Sequence, residues 1–276
     1  MTTTSATTTT TGTAASAAST ATTAPAAAPR REPGPTLRLV LAELRLMVRD
    51  PMTLTFVFAF PVVTMLIIGG SFGTRPDAVF EGQNPAHWYV ASYVSVAIGA
   101  TGLVILPVRI ASYRERGVLR RFAVAGFPRW SFAVAQLCIG LLAVVLATAL
   151  LLAVAAPVYG VPPVAHPGRA LLGGAAGAVA FVALGVLLGT LLPSARAAQA
   201  VGLLLFFPSF LLGVGGPPPQ AMGEGLQTLS QFLPLAVVTD ALRSPWLGLA
   251  GGTGPLVGSL AMAAGALALA ASRTRL

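Results

Sequence analysis

The chain has 276 residues, of which 55% are hydrophobic and only 9% are charged. Because soluble globular domains carry about 25% charged residues, this composition excludes a water-soluble protein and indicates a polytopic membrane protein. The formal net charge of +9 comes from arginines in short loops between apolar runs, since the sequence contains no lysine. That placement favours membrane lipid as the acidic partner rather than nucleic acid, whose binders cluster their cations on a soluble domain.

The residue inventory also limits which bound groups are expected. Without lysine the chain lacks the Gly-x-x-x-x-Gly-Lys phosphate loop, so ATP is not expected to bind here. One cysteine, Cys138, excludes an internal disulfide and a multi-cysteine zinc site. The two histidines, His87 and His166, lie in different loops and are interpreted as solvated rather than metal-bound. No metal or cofactor is therefore expected in this chain.

The first 49 residues divide into two parts. Residues 1–35 are almost entirely Thr, Ala, Ser and Pro, which supply too little bulky apolar surface to fold, so we predict a disordered tail. In residues 36–49, apolar side chains recur at helical spacing opposite three arginines, which predicts a basic amphipathic helix in the membrane interface. Its apolar positions are Leu37, Val40, Leu41, Leu44 and Met47, and its basic ones are Arg38, Arg45 and Arg49.

Six apolar runs follow, each close to the length of about 20 residues that a helix needs to cross a bilayer. Asp50-Pro51 and Asn84-Pro85 open the first two runs with the sequence of a helix N-cap and a first-turn proline. The predicted spans are 52–72, 88–108, 131–156, 170–192, 198–215 and 252–271.

A further apolar stretch, 226–239, is shorter and is interrupted by Pro234. We interpret it as an outer re-entrant or interfacial segment rather than a span. The expected fold is therefore an all-α polytopic membrane protein: six transmembrane helices, an N-terminal interfacial helix and this re-entrant segment, in one domain over 36–276. Were 226–239 to cross the membrane, the carboxyl terminus would emerge on the other side.

The arginines set the expected orientation. A cytoplasmic amino terminus places 14 of the 17 arginines on the inner side and leaves Arg75, Arg169 and Arg243 outside. Because cytoplasmic loops are enriched in arginine, we predict this orientation. With six spans, both termini are then cytoplasmic.

None of the six predicted spans contains Asp, Glu, Lys, Arg or His. Ion-coupled carriers usually need such a group at membrane depth, so a secondary carrier is disfavoured. Among the eight carboxylates, only Asp77 and Glu81 lie within one helical turn of each other, in an outer loop. A membrane-embedded transferase would need carboxylates clustered at cytoplasmic span ends and is a second, disfavoured alternative. The sequence thus favours a transport subunit that is not itself an enzyme.

Six arginines fall in the segment 109–129, between the second and third predicted spans. The positive-inside rule explains their sign, but not the glutamate and the glycine among them. The pattern Arg-Glu-x-Gly-x-Leu-x-Arg resembles the cytoplasmic coupling segment of ABC type-2 exporter permeases, and Arg49-Asp50-Pro51 and Leu233-Pro234-Leu235 are similar to other parts of that family. The resemblance covers about residues 36–271. The coupling residues that it implies are Arg114, Glu115, Gly117, Leu119, Arg120 and Arg121.

The resemblance implies partners and a location as well as a role. A six-span permease of this family pairs with a separate ATP-binding subunit, which binds ATP and Mg, and two permeases form a homodimer around a central path. A bacterial plasma (inner) membrane is the implied location. The charge-free spans and short outer loops resemble the daunorubicin-type branch, which implies multidrug resistance or antibiotic efflux of a hydrophobic or amphiphilic compound. Export of a polysaccharide or a lipid-linked glycan is the alternative within the family.

Two groups of residues are candidates for the substrate path, although packing explains each group equally simply. Small side chains follow one face of the second span, and phenylalanines surround Pro208 in the fifth. Gly173/Gly177 and Gly185/Gly189 in the fourth span are interpreted as helix-packing pairs. The path candidates are Ser92, Ser95, Gly99, Phe206, Phe207 and Phe210, and Gly102 continues the small face.

One contact of the coupling segment can also be anticipated. Glu115 is expected either to pair with Arg45 or Arg49 of the amino-terminal helix, making a rigid lever, or to remain solvated.

Overall fold

Residues 42, 44–118, 124, 129–250 and 252–274 are described by the computed structural model, and they are almost entirely helical. No β-strand occurs in these ranges, where a single bridge joins Asp77 and Gln83. The eight main helices are α1 (Pro51–Ser71), α2 (Pro85–Glu115), α3 (Arg129–Tyr159), α4 (Pro167–Leu191), α5 (Ala195–Gly215), α6 (Glu224–Gln231), α7 (Pro234–Leu247) and α8 (Gly254–Thr274).

Six of these helices correspond to the predicted spans. Within the described residues, α1 to α5 are long and apolar enough to cross a membrane, and α8 contributes a shorter apolar helix over Gly254–Ala270. The predicted all-α polytopic fold is thus confirmed. The largest difference lies in α2, predicted over 88–108 but 31 residues long, or about 46 Å at 1.5 Å per residue. Its arginine-bearing end continues the helix because nothing before Gly117 breaks it.

The predicted N-caps are also confirmed. Asp50 Oδ1 accepts a hydrogen bond from Met52 N (3.2 Å), and Asn84 Oδ1 accepts one from Ala86 N (2.9 Å). In both helices the following proline occupies the first position, where its missing N–H removes no helical hydrogen bond.

Three of the spans widen locally into π-helical turns, at Leu54–Ala59, Ala100–Ile105 and Leu211–Gly215. Pro61 and Pro107 lie two residues after the first two turns, and Pro208 precedes the third. A proline inside a helix removes an N–H donor and crowds the carbonyl four residues earlier, and a wide turn relieves that crowding.

The helices alternate in direction, so the bundle has two ends. At the end that we call arginine-rich, Arg109 lies 3.6 Å from Asp50, and Arg114 reaches the chain after α4. At the opposite end, Tyr159 donates its hydroxyl proton to the Leu66 carbonyl oxygen at 2.6 Å.

α4 lies at the centre of the bundle because its glycines admit two neighbours at close range. A Cβ placed on Gly177 would overlap the Val238 side chain of α7, and one placed on Gly189 would lie 2.6 Å from Ile110 Cβ of α2. Gly173 and Gly185 make the equivalent close approaches to the same two helices. The predicted packing role of both glycine pairs is confirmed.

α6 and α7 form a re-entrant hairpin at the opposite end of the bundle. They are 8 and 14 residues long, which is too short to cross a bilayer. α6 ends at Gln231, and α7 begins at Pro234 after the N-cap residue Leu233. Leu235 reaches the middle of α2, where a Cβ placed on Gly99 would lie 3.0 Å from its Cδ1. Trp246 then returns to the opposite end and donates its indole N–H to the Pro162 carbonyl at 3.1 Å. The lengths of α6 and α7 and the return of the chain to the same end of the bundle agree with the re-entrant interpretation of 226–239, which stays a prediction.

Part of the predicted amino-terminal helix falls in the described residues. Residue 42 and residues 44–48 are helical. Leu44 and Met47 pack against the core while Arg45 faces outwards, as the amphipathic pattern predicts. The other residues of this predicted helix, 36–41 and 43, lie outside the described residues. The same is true of the predicted tail, 1–35.

Candidate functional site

Arg114 fastens the end of α2 to the end of α4. Its Nη1 donates to the carbonyl oxygens of Thr190 (2.6 Å), Leu192 (3.0 Å) and Gly189 (3.2 Å). The last carbonyls of a helix have no intrahelical partner and carry partial negative charge, so a guanidinium is a suitable cap. Arg114 thereby joins the carboxyl-terminal ends of two helices that run in the same direction.

Glu115 makes the complementary contact with α5. Its Oε1 accepts a hydrogen bond from the backbone N–H of Ala195 at 3.1 Å, beside Ser194, whose hydroxyl caps the same helix through Ala197 N. A carboxylate in the last turn of α2 is disfavoured by the dipole of its own helix, but it is favoured at the start of α5. The hydrogen-bond partner of Glu115 in the described residues is therefore Ala195, and neither Arg45 nor Arg49 takes that place.

Arg109 connects the same end of α2 with α1. Its Nη2 donates to Thr53 Oγ1 at 3.2 Å and lies 3.6 Å from Asp50 Oδ2. Asp50 is the N-cap of α1, so Arg109 contacts the group that starts that helix. Together with Arg114 and Glu115, Arg109 makes the end of α2 a junction of four helices.

Gly117 ends α2. Its N–H donates to the Arg114 carbonyl at 3.1 Å, and its φ is +66°, a left-handed conformation that glycine adopts readily and other residues rarely do. The Arg-Glu-x-Gly spacing is thus explained by a helix end: two capping side chains in the last turn, then the glycine that stops the helix. Of the predicted coupling residues, Leu119, Arg120 and Arg121 lie outside the described residues.

The chain leaves and re-enters the bundle at one corner of the arginine-rich end. The rings of Tyr113 in α2 and Phe132 in α3 lie edge to face with their centroids 5.9 Å apart. This contact holds the end of α2 against the start of α3, next to the four-helix junction.

The small face of α2 is covered by α7. Ser95 Oγ lies 2.6 Å from Thr239 Oγ1, and Ser92 Oγ donates to the Trp88 carbonyl at 2.7 Å. Both serines are fully buried. Gly99 lies between Leu235 of α7 and the Phe206 ring, at 3.0 and 3.4 Å from a Cβ placed on it. In this conformation these three path candidates therefore lie in the packed contact between α2 and α7.

The three phenylalanines divide between two faces of α5. Phe206 and Phe210 are buried and stacked, with ring centroids 5.9 Å apart, and both contact Phe60 of α1. Phe207 is 40% exposed and faces outwards from the bundle. The structure therefore places Phe206 between Phe210 and Gly99, while Phe207 contacts Phe206 edge to face from the exposed side, with ring centroids 5.6 Å apart.

Phe206 and Phe210 belong to a larger group of aromatic side chains, the aromatic cluster, which extends towards the opposite end of the bundle. Consecutive ring centroids lie 5.2 to 6.2 Å apart, within the range of favourable ring contacts. Pairs spaced four residues apart in α1, α2 and α5 are the sequence signal that predicts it. Its members are Phe56, Phe60, Phe72, Phe80, Trp88, Tyr89, Tyr93, Phe206 and Phe210.

Sequence analysis missed a buried charge beside this cluster. Arg243, assigned to an outer loop, lies within α7 and is only 5% exposed. It forms an ion pair with Asp240, lies 3.4 Å from Ser92 Oγ, and has its guanidinium carbon 3.8 Å from the centroid of the Trp88 ring. The hairpin places Arg243 inside the bundle, where the ion pair with Asp240 and the contact with the Trp88 ring offset part of the free-energy cost of burying its charge.

Comparison with known proteins identifies the family. The family model of the ABC-2 type transporter matches residues 36–246, which include the coupling residues and the re-entrant hairpin. A comparison with curated proteins finds no significant match. The match extends over most of the chain, and the chain is a multi-pass membrane protein that belongs to the ABC-2 type transporter family.

Proposed function

We propose that this chain is the permease subunit of an ATP-driven exporter that moves a hydrophobic or amphiphilic, drug-like or antibiotic-like compound out of a bacterial cell. A separate ATP-binding subunit binds ATP and Mg and hydrolyses the ATP, and two copies of this chain surround the path. The observation that carries the proposal is the junction of four helices at the end of α2, beside the segment that resembles the family's coupling segment.

The junction supports a direct route for mechanical coupling. A force applied to the segment after Gly117 reaches the end of α2 first. Arg114 and Glu115 pass that displacement to α4 and α5, and Arg109 passes it to α1. Helices behave as stiff rods on this scale, so movement at the arginine-rich end tilts the spans and changes access at the opposite end.

The aromatic cluster supports an apolar or amphiphilic substrate. Its rings lie between α1, α2 and α5, and a separation of these helices would expose flat apolar faces together with the hydroxyls of Ser92 and Ser95. Placing a single charged side chain at bilayer depth costs about 2.5–3.5 kcal/mol on insertion scales, so strongly polar solutes are disfavoured on such a wall.

Efflux assays test the substrate class. In cells that express this chain with its ATPase partner, export of an anthracycline-like drug is expected to exceed export of a small hydrophilic antibiotic. Single leucine substitutions at Phe206, Phe207 and Phe210 are expected to change the apparent KM for the drug, because leucine keeps apolar volume but removes the flat ring. Phe232→Leu is the control, since Phe232 is 78% exposed and outside the aromatic cluster. Unchanged KM in all three variants, or export of the hydrophilic compound or a glycan alone, would contradict the proposal.

The proposal also fixes the orientation: the arginine-rich end is cytoplasmic, as are both termini. In a Cys138→Ser background, a membrane-impermeant thiol reagent applied to intact cells is expected to label Val79→Cys in the exposed loop before α2. Val118→Cys, next to Gly117, and a cysteine added after Leu276 are expected to react only after the cells are opened. Labelling of the carboxyl-terminal cysteine in intact cells would reverse the assignment.

A further inference from the structure

A polar cavity of about 240 Å³ lies at the opposite end of the bundle, beside the re-entrant hairpin. It lies between the loop before α2, the end of α5, and α6 and α7. Drug-sized ligands occupy pockets of about 300–1,000 Å³, so this cavity has room for a polar group rather than for a whole amphiphile. Its polar lining comes from Glu81, Gln220, Ser230, Gln231, Asp240, Arg243 and Ser244.

Two carboxylates of the lining keep an oxygen available to a ligand. Asp240 binds Arg243 through Oδ1, and its side chain is 40% exposed and lines the cavity. Glu81 accepts a hydrogen bond from Gln220 Nε2 through Oε1 at 2.7 Å, which leaves Oε2 for another donor. Glu81 also lies close enough to interact electrostatically with both Asp240 and Arg243. The two carboxylates therefore repel each other across the cavity.

Arg243 does not offset both carboxylates. Its guanidinium is 5% exposed, pairs with Asp240 and lies over the Trp88 ring, so its charge is already matched by these contacts. With two carboxylates and one guanidinium, the lining carries a formal net charge of −1, and Arg169 lines a neighbouring cavity that Asp240 also borders. The Nε–H of Arg243 is a buried donor with no hydrogen-bond partner in the described part of the chain, so a ligand oxygen that came within reach of it would relieve an unsatisfied donor.

A metal ion fits this arrangement less well than an organic cation. Within the described ranges, no three His, Cys, Asp or Glu side chains converge, whereas a calcium site takes six to eight oxygen ligands. An ammonium group needs only two or three acceptors, which the free oxygens of Asp240 and Glu81 supply. A hydroxyl or carbonyl oxygen next to the ammonium group would accept from Arg243 Nε.

We propose that this cavity binds the protonated amine of an amphiphilic organic cation, with Glu81 and Asp240 as its acceptors. The cavity's place in transport, as a site for the polar end of a substrate at the outer mouth, rests on the proposed export function. Binding itself does not rest on it, because the site lies within one copy of this chain and needs neither ATP nor the ATPase partner.

Equilibrium binding to the purified full-length chain tests the proposal. The probe is dansylcadaverine, a fluorescent primary amine, and its N-acetylated analogue is the uncharged control. Wild type is expected to bind the amine more tightly than the analogue. Glu81→Gln and Asp240→Asn are each expected to weaken amine binding by about tenfold or more, the scale reported for close charge pairs at interfaces. Glu224→Gln, a carboxylate variant outside the cavity lining, is expected to leave it unchanged.

Glu81→Gln keeps the test decisive if Asp240→Asn misfolds, since Glu81 lies outside the Asp240–Arg243 ion pair. Equal affinity for the amine and its acetylated analogue, or an unchanged affinity in Glu81→Gln, would overturn the proposal. Displacement of the amine by Mg²⁺ or Ca²⁺ in wild type but not in Glu81→Gln would also overturn it, in favour of a metal site. Carboxylate-dependent binding without drug export in cells would contradict the export function and leave the site intact.

Discussion

Replacing Glu115 by alanine is expected to remove most of the substrate-stimulated ATP hydrolysis of the reconstituted transporter, by about tenfold or more, while the protein still inserts and folds. Loss of one helix cap costs about 0.5–2 kcal/mol, a fraction of the 5–15 kcal/mol that stabilises a typical domain. The same loss breaks the one hydrogen bond that joins α2 to the start of α5 through Glu115. ATPase activity with and without substrate, measured in proteoliposomes, gives the coupling directly.

A matched control exists at the other end of the molecule. Glu224→Ala also removes a carboxylate that lies at the start of a helix, here α6, but far from the junction, and it is expected to keep stimulation intact. Gly117→Pro is expected to resemble Glu115→Ala, because proline fixes φ near −65° and cannot reproduce the observed +66°. Normal stimulation in both Glu115→Ala and Gly117→Pro would contradict a coupling role for the junction.

The second large effect is expected on folding, at the crossing of α2 and α4. A Cβ on Gly102 would overlap the carbonyl oxygen of Phe181, and one on Gly185 would overlap the carbonyl oxygen of Gly102. Because these obstacles are backbone atoms, the side-chain adjustments that limit overpacking to about 1–3 kcal/mol are not available. Gly102→Val and Gly185→Val are therefore each expected to yield little folded protein, measured as the monodisperse fraction and the thermal midpoint in detergent.

Gly265→Val is the control for that experiment. Gly265 lies in α8, where an added Cβ meets no atom within 4 Å, so the variant is expected to unfold at the wild-type temperature. A stable, monodisperse Gly185→Val protein would show that the two helices do not cross at this distance in the membrane.

Much of the fold follows from local sequence signals. Asp50-Pro51 and Asn84-Pro85 define helix starts by hydrogen bonds within three residues, and the glycine pairs of α4 define its crowded faces. These signals can be interpreted from the sequence because the capping groups bind residues close by in the chain. The glycines allow close packing whichever helix is their neighbour. The re-entrant hairpin was predictable for the same reason, from its length and from Pro234.

The partners of individual polar groups were not predictable. Glu115 bonds Ala195, which lies 80 positions away, and Arg243 meets Ser92 across 151 positions. A sequence in which an arginine follows a carboxylate within a short apolar stretch is the same whether the arginine lies on the surface of a loop or is buried inside a bundle. The path of the hairpin decides whether Arg243 is exposed or buried. That path depends in turn on the space between α2 and α4 into which α7 packs.

The shape of the hairpin also constrains the order in which the protein assembles. α7 contains Asp240 and Arg243 and is only 14 residues long, so it lacks the length and apolarity of a stable span by itself. Its binding surface, formed by the serines of α2 and the glycines of α4, exists only after those two helices have packed. The hairpin is therefore expected to dock after α2 and α4 have packed, from the end of the bundle opposite the arginine-rich end, and α8, which packs against both α4 and α7, is expected to pack after it.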